Sequence, residues 1–318
     1  MKKISVRSPC SSANLGSGFD SFGLALEAFH DTLTIELTDE GIEVEVTGLE
    51  AEKIPSDPER NTAGLVAKSL LKNRDVGVKI QLHKGIPLRM GLGSSGASAA
   101  ACAYGLNEIL NLGLTRDEIV RWAAFGEKAA AGESHADNVA ASILGGFTIV
   151  RTIGDSISAV RLDPPPSLEV ALALPRIETA EDKTATARAI LPKRVSFRDA
   201  VLNAQNAAYL VAGFHMGSID MIGRGMMDLL VEPYRKRLIP GYEEVKRAAL
   251  KAGAAGAAIS GAGPAVIAII DSAKASALDV AEAMGEAFRD EGVECEVCCS
   301  KPSFKGTERL DKIENAVD

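Results

Sequence analysis

The chain has 318 residues, 46% of them hydrophobic, 4% aromatic and 25% charged, with a net charge of −8. This composition excludes a disordered polymer, calls for cores of Ala, Val, Leu and Ile, and at this length predicts two domains. The acidic balance argues against a non-specific nucleic-acid binder, which needs a basic footprint, but leaves small anions open because local fields hold them.

The first residues, MKKISVRSPCSSANLG, carry two lysines but no long apolar run, so no signal peptide is read. No apolar stretch is long enough for a bilayer, and a cytoplasmic location without membrane partners is the expectation. KISVRS (3–8), DTLTIELT (31–38) and the alternating IEVEVTG (42–48) are predicted strands. After the loop PSDPER, Asn61 or Thr62 starts a helix through AGLVAKSLLKN. VGVKIQLHKG (76–85) is a strand, and Ser94 to Leu110 a helix with small residues first. Thr115 and Glu118 form a capping box for RDEIVRWAAFGEKAA. GGFTIVR and SISAVRL pair as a hairpin.

DPPPS (163–167) cannot continue a helix or a central strand, which sets the expected domains at 1–163 and 164–318. Beyond it come a strand, LEVALALP, and a helix, AEDKTATARAIL. Two helical stretches follow, FRDAVLNAQNAAYLVAGFH and SIDMIGRGMMDLL. The end reads helix, strand, GAGP turn, strand, helix, strand, closing on VECEVCC, with the polar residues after Ser303 expected to fray. Strands and helices interleave and hairpins occur, so the fold class is α+β. The five cysteines are a poor disulfide framework, and CEVCC lacks a second ligand pair for structural zinc. Small buried apolar residues in a strand explain it better.

The stretch PLRMGLGSSGASAAA (87–101) satisfies G-x-G-x-x-G at Gly91, Gly93 and Gly96. It lacks the strand running directly into the loop and the later acidic residue of a dinucleotide site, and it lacks the lysine of a Walker loop. The physics of an anion site remains. Glycines let backbone approach closely, a helix starting at Ser94 points unpaired amides outward, and Ser94 and Ser95 add hydroxyls. Gly96, Ala97 and Ser98 carry no large side chain, so the first turn can lie beneath a polyphosphate. An alanine-rich packed helix behind a plain turn is the competing reading.

Two more stretches narrow the choice: SPCSSANLGSGFDSFGLAL near the start and AAISGAGPAVIAII near the end, with GESHADNVAASILGGF between them. In this order, over nearly the whole chain to about residue 300, the sequence resembles the GHMP kinases, and within them the homoserine-kinase branch. Departures are Gly96 for the usual Ala, Ala141 for a frequent Pro, and Ala265 for Thr or Ser.

The resemblance implies an N-terminal domain like ribosomal S5 domain 2, a ferredoxin-like C-terminal domain, and a site between them. It implies ATP-dependent phosphorylation of the side-chain hydroxyl of L-homoserine with Mg2+, and it admits a homodimer. Residues 91–98 (Gly91, Leu92, Gly93, Ser94, Ser95, Gly96, Ala97, Ser98) would hold the triphosphate, and Asn61 the nucleoside. Lys84 offers a full charge there, or is an ordinary surface lysine. Glu127 and Ser95 match the metal-side pair. Asn14 and Asp20 would receive the ammonium, and Arg188 and Arg235 the carboxylate, with Arg237 competing with Arg235 and Arg224 a weaker candidate. In His135-Ala136-Asp137-Asn138 the expectation is that Asn138 orients the hydroxyl beside Asp137, His135 supports the loop, and no strong base is needed. Two alternatives stay open: another GHMP kinase, of shikimate or mevalonate type, and a non-catalytic nucleotide or amino-acid sensor.

Overall fold

The computed structural model describes residues 2–131, 136–178 and 183–310. Its first half contains β1 (Lys3–Ala13), β2 (Phe22–Thr38), β3 (Ile42–Gly48), α1 (Thr62–Leu71), β4 (Gly77–Lys84), α2 (Ser94–Leu110), α3 (Arg116–Ala131), α4 (Ala136–Leu144) and the hairpin β5 (Phe147–Ile153) with β6 (Ser156–Leu162). The strands form one sheet in the order β11-β1-β2-β4-β3, with β5 on the near end of β2 and β6 beyond it; β11 (Glu308–Arg309) comes from the far end of the chain. The pair β3–β4 is parallel and joined by α1; the rest is antiparallel.

The alanine-rich α2 lies close on this sheet. Ala99, Ala100, Ala103 and Leu106 are buried with Ile4, Val6, Leu33 and Ile35. At Gly105 even a methyl group would stand 2.9 Å from Ile35 Cδ1, so the helix has approached as near as small residues allow. Thr115 and Glu118 make the capping box at the start of α3, Thr115 N–H to Oε2 at 2.8 Å and Glu118 N–H to Oγ1 at 3.3 Å.

The second half contains β7 (Leu168–Pro175), α5 (Lys183–Ala189), α6 (Phe197–Met216), α7 (Ile219–Gly225), α8 (Glu232–Arg235), α9 (Tyr242–Lys251), β8 (Gly256–Ile259), β9 (Val266–Asp271), α10 (Ala277–Asp290) and β10 (Cys295–Ser300). Its antiparallel order β10-β7-β9-β8, with helices after the first and third of these strands in the chain, is the ferredoxin-like arrangement. Both halves mix strands and helices, as the α+β reading requires. The halves share a core: Phe147 of β5 stacks on Phe214 of α6, centroids 3.9 Å apart, while Phe22 meets Phe147 edge-on.

Three expectations change. SIDMIGRGMMDLL is not one helix: α7 stops at Gly225, and Asp228 takes the amides of Leu230, Val231 and Glu232 at 2.7, 3.1 and 2.8 Å to begin α8. The tail does not fray directly after Ser303: Thr307 Oγ1 bonds Ser8 Oγ at 2.9 Å and β11 pairs with β1. In β10, Cys295 and Val297 pack toward α10 and Cys298 packs into the shared core, but Cys299 is exposed, so the cysteines are not all buried as expected. No described helix is long and apolar enough to cross a membrane.

Candidate active site

The three glycine-rich stretches meet at one place. Ser11 N–H donates to Leu92 O, Gly261 N–H to Ala13 O and Ala265 N–H to Met90 O, each at 3.1 Å. The Ser260 hydroxyl lies 2.8 Å from both Gly91 O and Ser12 Oγ. Gly91, at φ +83°, is required here, because a Cβ would stand 2.2 Å from Ser260 O.

Gly93 precedes α2 in the left-handed region, at φ 67°. The first bond closing the helix runs from Ala97 N–H to Gly93 O at 2.8 Å. The amides of Ser94, Ser95 and Gly96 precede that bond and open from the helix end, where the dipole also favours negative charge. The Ser94 hydroxyl is turned back onto Ile86 O at 3.2 Å.

Lys84 is neither a surface lysine nor a charge reaching outward. It is buried, its ammonium pairs with the buried carboxylate of Asp31, and it donates to Ser94 O at 3.0 Å and Ser98 Oγ at 2.8 Å. Asp31 completes the cluster by accepting from Ser98 Oγ at 2.8 Å and from the amides of Gly85 and Ile86 at 3.1 and 3.2 Å. Burial drags the Lys84 ammonium below its usual range, and Asp31 opposes that shift. Lys84, Asp31 and Ser98 therefore brace the first turn of α2 from beneath. Asn61 is likewise buried and structural in its bonding: it caps α1 through Ala63 N–H at 2.9 Å and donates to Pro55 O at 2.7 Å.

Beside the amides, the Ser95 hydroxyl donates to Glu127 Oε1 at 2.7 Å, and Glu127 is 1% exposed. Among the described residues there is no cluster of three or more acids, histidines or cysteines that would cage a metal by itself. One carboxylate and one hydroxyl beside the open amides are hard oxygen donors of the kind that fit Mg2+.

Asn138 stands against the same loop. A Cβ at Gly96 would come 3.2 Å from Asn138 Cβ, and one at Gly93 2.8 Å from Asn138 Oδ1. Ser11 Oγ donates to Asn138 Oδ1 at 3.0 Å, and the buried Asp137 accepts from the Asn138 amide N–H at 2.8 Å. His135 lies outside the described residues.

Arg188 and Arg235 gather around Phe19, next to Asp20. Arg188 forks onto Asp20, and the guanidinium carbons of Arg188 and Arg235 sit 5.2 and 5.0 Å from the Phe19 ring centroid. Arg235, 4% exposed, donates to Ala187 O and Gly261 O, both at 3.1 Å. Burial lowers its affinity for the proton, and Asp20 opposes that. Arg237 is exposed and Arg224 pairs with Asp220 on the surface, whereas Arg235 lies inward beside Phe19 and Gly261. Asn14 donates to Gly261 O at 2.9 Å and accepts from Asp20 N–H at 3.0 Å. Asn14, Leu15 and Asp20 all have positive φ, a strained turn that over-determined packing holds in place.

Sequence reasoning missed Asp31, Phe19, Ser11 and Lys183. Phe19 and Ser11 lie inside the quoted N-terminal motif, so their place in it was their signal. Asp31 and Lys183 carry none in their spacing.

Comparison with known proteins gives consistent matches. The GHMP kinase N-terminal domain family matches residues 61–146 and the GHMP kinase C-terminal family residues 207–290. A homoserine kinase from Haloarcula marismortui is 44% identical over 294 residues, 92% of this chain and 96% of its own. One from Methanococcus maripaludis is 45% identical over 85% of this chain and 88% of its own. The crystal structure of homoserine kinase from Cytophaga hutchinsonii superposes with a TM-score of 0.89 at 35% identity, covering 98% of both chains.

Proposed function

The chain belongs to the GHMP kinases, and from that premise we propose that it transfers the γ-phosphoryl group of ATP to the side-chain hydroxyl of L-homoserine, giving O-phospho-L-homoserine. One observation carries the reading. The open amides of Ser94, Ser95 and Gly96 adjoin the Ser95–Glu127 pair on one side and Asn138 on the other, and Asp137, which holds the Asn138 amide, is among the charges acting on Arg235, beside the Arg188–Asp20 pair.

Phosphoryl transfer asks chiefly for positioning and charge neutralisation. The amides and the helix dipole receive the phosphates, which accounts for a loop without its own lysine. Glu127 and Ser95 would hold Mg2+, which would supply charge neutralisation at the phosphates. Asp20 and Asn14 take the substrate's ammonium; Arg188 and Arg235 take its carboxylate. Asn138 aims the hydroxyl oxygen. Its side chain is an amide, so it orients rather than deprotonates, and a loose transition state asks for little more.

The charge pattern selects the amino acid over other alcohols. Shikimate and mevalonate bring a carboxylate but no ammonium, so drawing Arg188 onto that carboxylate costs Asp20 its ion pair with nothing in exchange. The test is ADP release and phosphorus NMR of the product with homoserine, shikimate and mevalonate in turn, at equal ATP and magnesium. Transfer to homoserine alone is expected. Transfer to another alcohol, or homoserine binding without ADP release, sinks the proposal.

A further inference from the structure

Lys183, the first residue of α5, has no part in the roles above, yet it touches two of the three glycine-rich stretches. Its ammonium donates to Arg89 O at 2.7 Å, just ahead of the phosphate loop, and to Gly263 O in the late turn. Arg89 itself has φ 57°, so the carbonyl that Lys183 grips sits in a turn of fixed shape. Burial, followed by the nearby Arg235 and Arg89, pushes the ammonium down to about 7, while the two carbonyls favour its charged form.

The helix that Lys183 opens has little core of its own. Of its seven residues only Ala187 is buried. Its far end carries the amino-acid pocket: Ala187 O receives Arg235 Nε at 3.1 Å, and Arg188 forks onto Asp20 at 2.7 and 3.0 Å. Arg188 thus stands on α5, Arg235 takes one of its two backbone carbonyl partners from α5, and α5 is tied at its start to the backbone just ahead of the phosphate loop and to the late turn.

We infer that Lys183 is a positioning residue: by pinning α5 to the carbonyls of Arg89 and Gly263, it sets the affinity of the pocket for its amino-acid substrate. This rests on the homoserine-kinase reading for the identity of that substrate. It assigns Lys183 no contact with nucleotide, so its removal separates the two substrates. In Lys183→Met the homoserine KM rises about tenfold, the size of a lost hydrogen bond to a charged group. The ATP KM and kcat stay within about threefold, because the amides, Glu127 and Asn138 are untouched. Lys183→Arg, which keeps donors for both carbonyls, recovers most of the homoserine affinity.

Amide hydrogen exchange of residues 183–189 in the ligand-free protein supplies a readout independent of any substrate, expected to quicken by at least about threefold in Lys183→Met and not in Lys183→Arg. Unchanged homoserine KM and unchanged exchange overturn the inference, as does an ATP KM that rises as much as that for homoserine. If the parent fails to phosphorylate homoserine while exchange still quickens in Lys183→Met, the pin stands and the substrate reading falls.

Discussion

Arg188 lays its two terminal nitrogens on the two carboxylate oxygens of Asp20, Nη1 to Oδ2 at 2.7 Å and Nη2 to Oδ1 at 3.0 Å. The positive and negative arms of the proposed amino-acid pocket therefore neutralise each other. Their side chains are 27% and 46% exposed, so the pair is solvent-screened and worth about 0–1 kcal/mol to stability. A zwitterion that inserts between them exchanges one ion pair for two. Asp20→Asn is expected to raise the homoserine KM by about thirtyfold or more, with the ATP KM and the unfolding midpoint nearly unchanged. Steady-state kinetics and a thermal melt measure both. Equal damage to both KM values would place Asp20 elsewhere in the mechanism.

The Ser95–Glu127 pair predicts a different signature. Glu127→Gln keeps the shape and removes the charge. It is expected to lower kcat by about 10²–10³ and to raise the magnesium concentration needed for half-maximal rate. Circular dichroism should match the parent. A variant with full kcat at ordinary magnesium would remove Glu127 from the metal side.

Lys84 and Asp31 are expected to act on stability rather than on nucleotide affinity. Lys84→Met leaves the Asp31 carboxylate buried without its cation, at a cost of about 3–5 kcal/mol. Urea unfolding reads this loss. At a temperature where the variant is folded, its ATP KM should stay close to that of the parent. A stable variant with weakened ATP binding would return Lys84 to the phosphates.

Asn138 and Asp137 separate orientation from base catalysis. Asn138→Ala is expected to lower kcat by about 10–100-fold with little change in either KM, the scale of a lost positioning contact. Asp137→Asn should retain most activity, since a carboxylate base is not required. Full kcat in Asn138→Ala together with none in a folded Asp137→Asn would reverse the assignment.

Much of this architecture was legible from residue pattern. IEVEVTG alternates and is β3; the capping box at Thr115 starts α3; the three prolines separate β6 from β7. The start of α2 at Ser94 followed from glycines giving way to small helix formers. The failures have physical causes. β1 continues to Ala13 because residues 8–13 are buried throughout between the two halves, which erases the alternation that marks a strand with one wet face. The turn at Asn14, Leu15 and Asp20 uses left-handed backbone at non-glycine residues, which composition does not announce. Lys84 reads either as a charge for the phosphates or as a surface cation until Asp31, far away in sequence, is seen beneath it. The two-residue β11 is too short to carry a pattern. That Arg188 and Arg235 would meet at Phe19 and Asp20 was suggested only by family resemblance, since helical arginines are ordinarily solvated.

The most direct measurement is a crystal structure with L-homoserine, magnesium and a non-hydrolysable ATP analogue bound together. The account predicts phosphate oxygens within about 3 Å of the amides of Ser94, Ser95 and Gly96, the metal at Ser95 and Glu127, and the homoserine hydroxyl beside Asn138 facing the terminal phosphorus. A triphosphate seated away from the start of α2, or an amino acid bound outside the Asp20, Arg188 and Arg235 pocket, would contradict it.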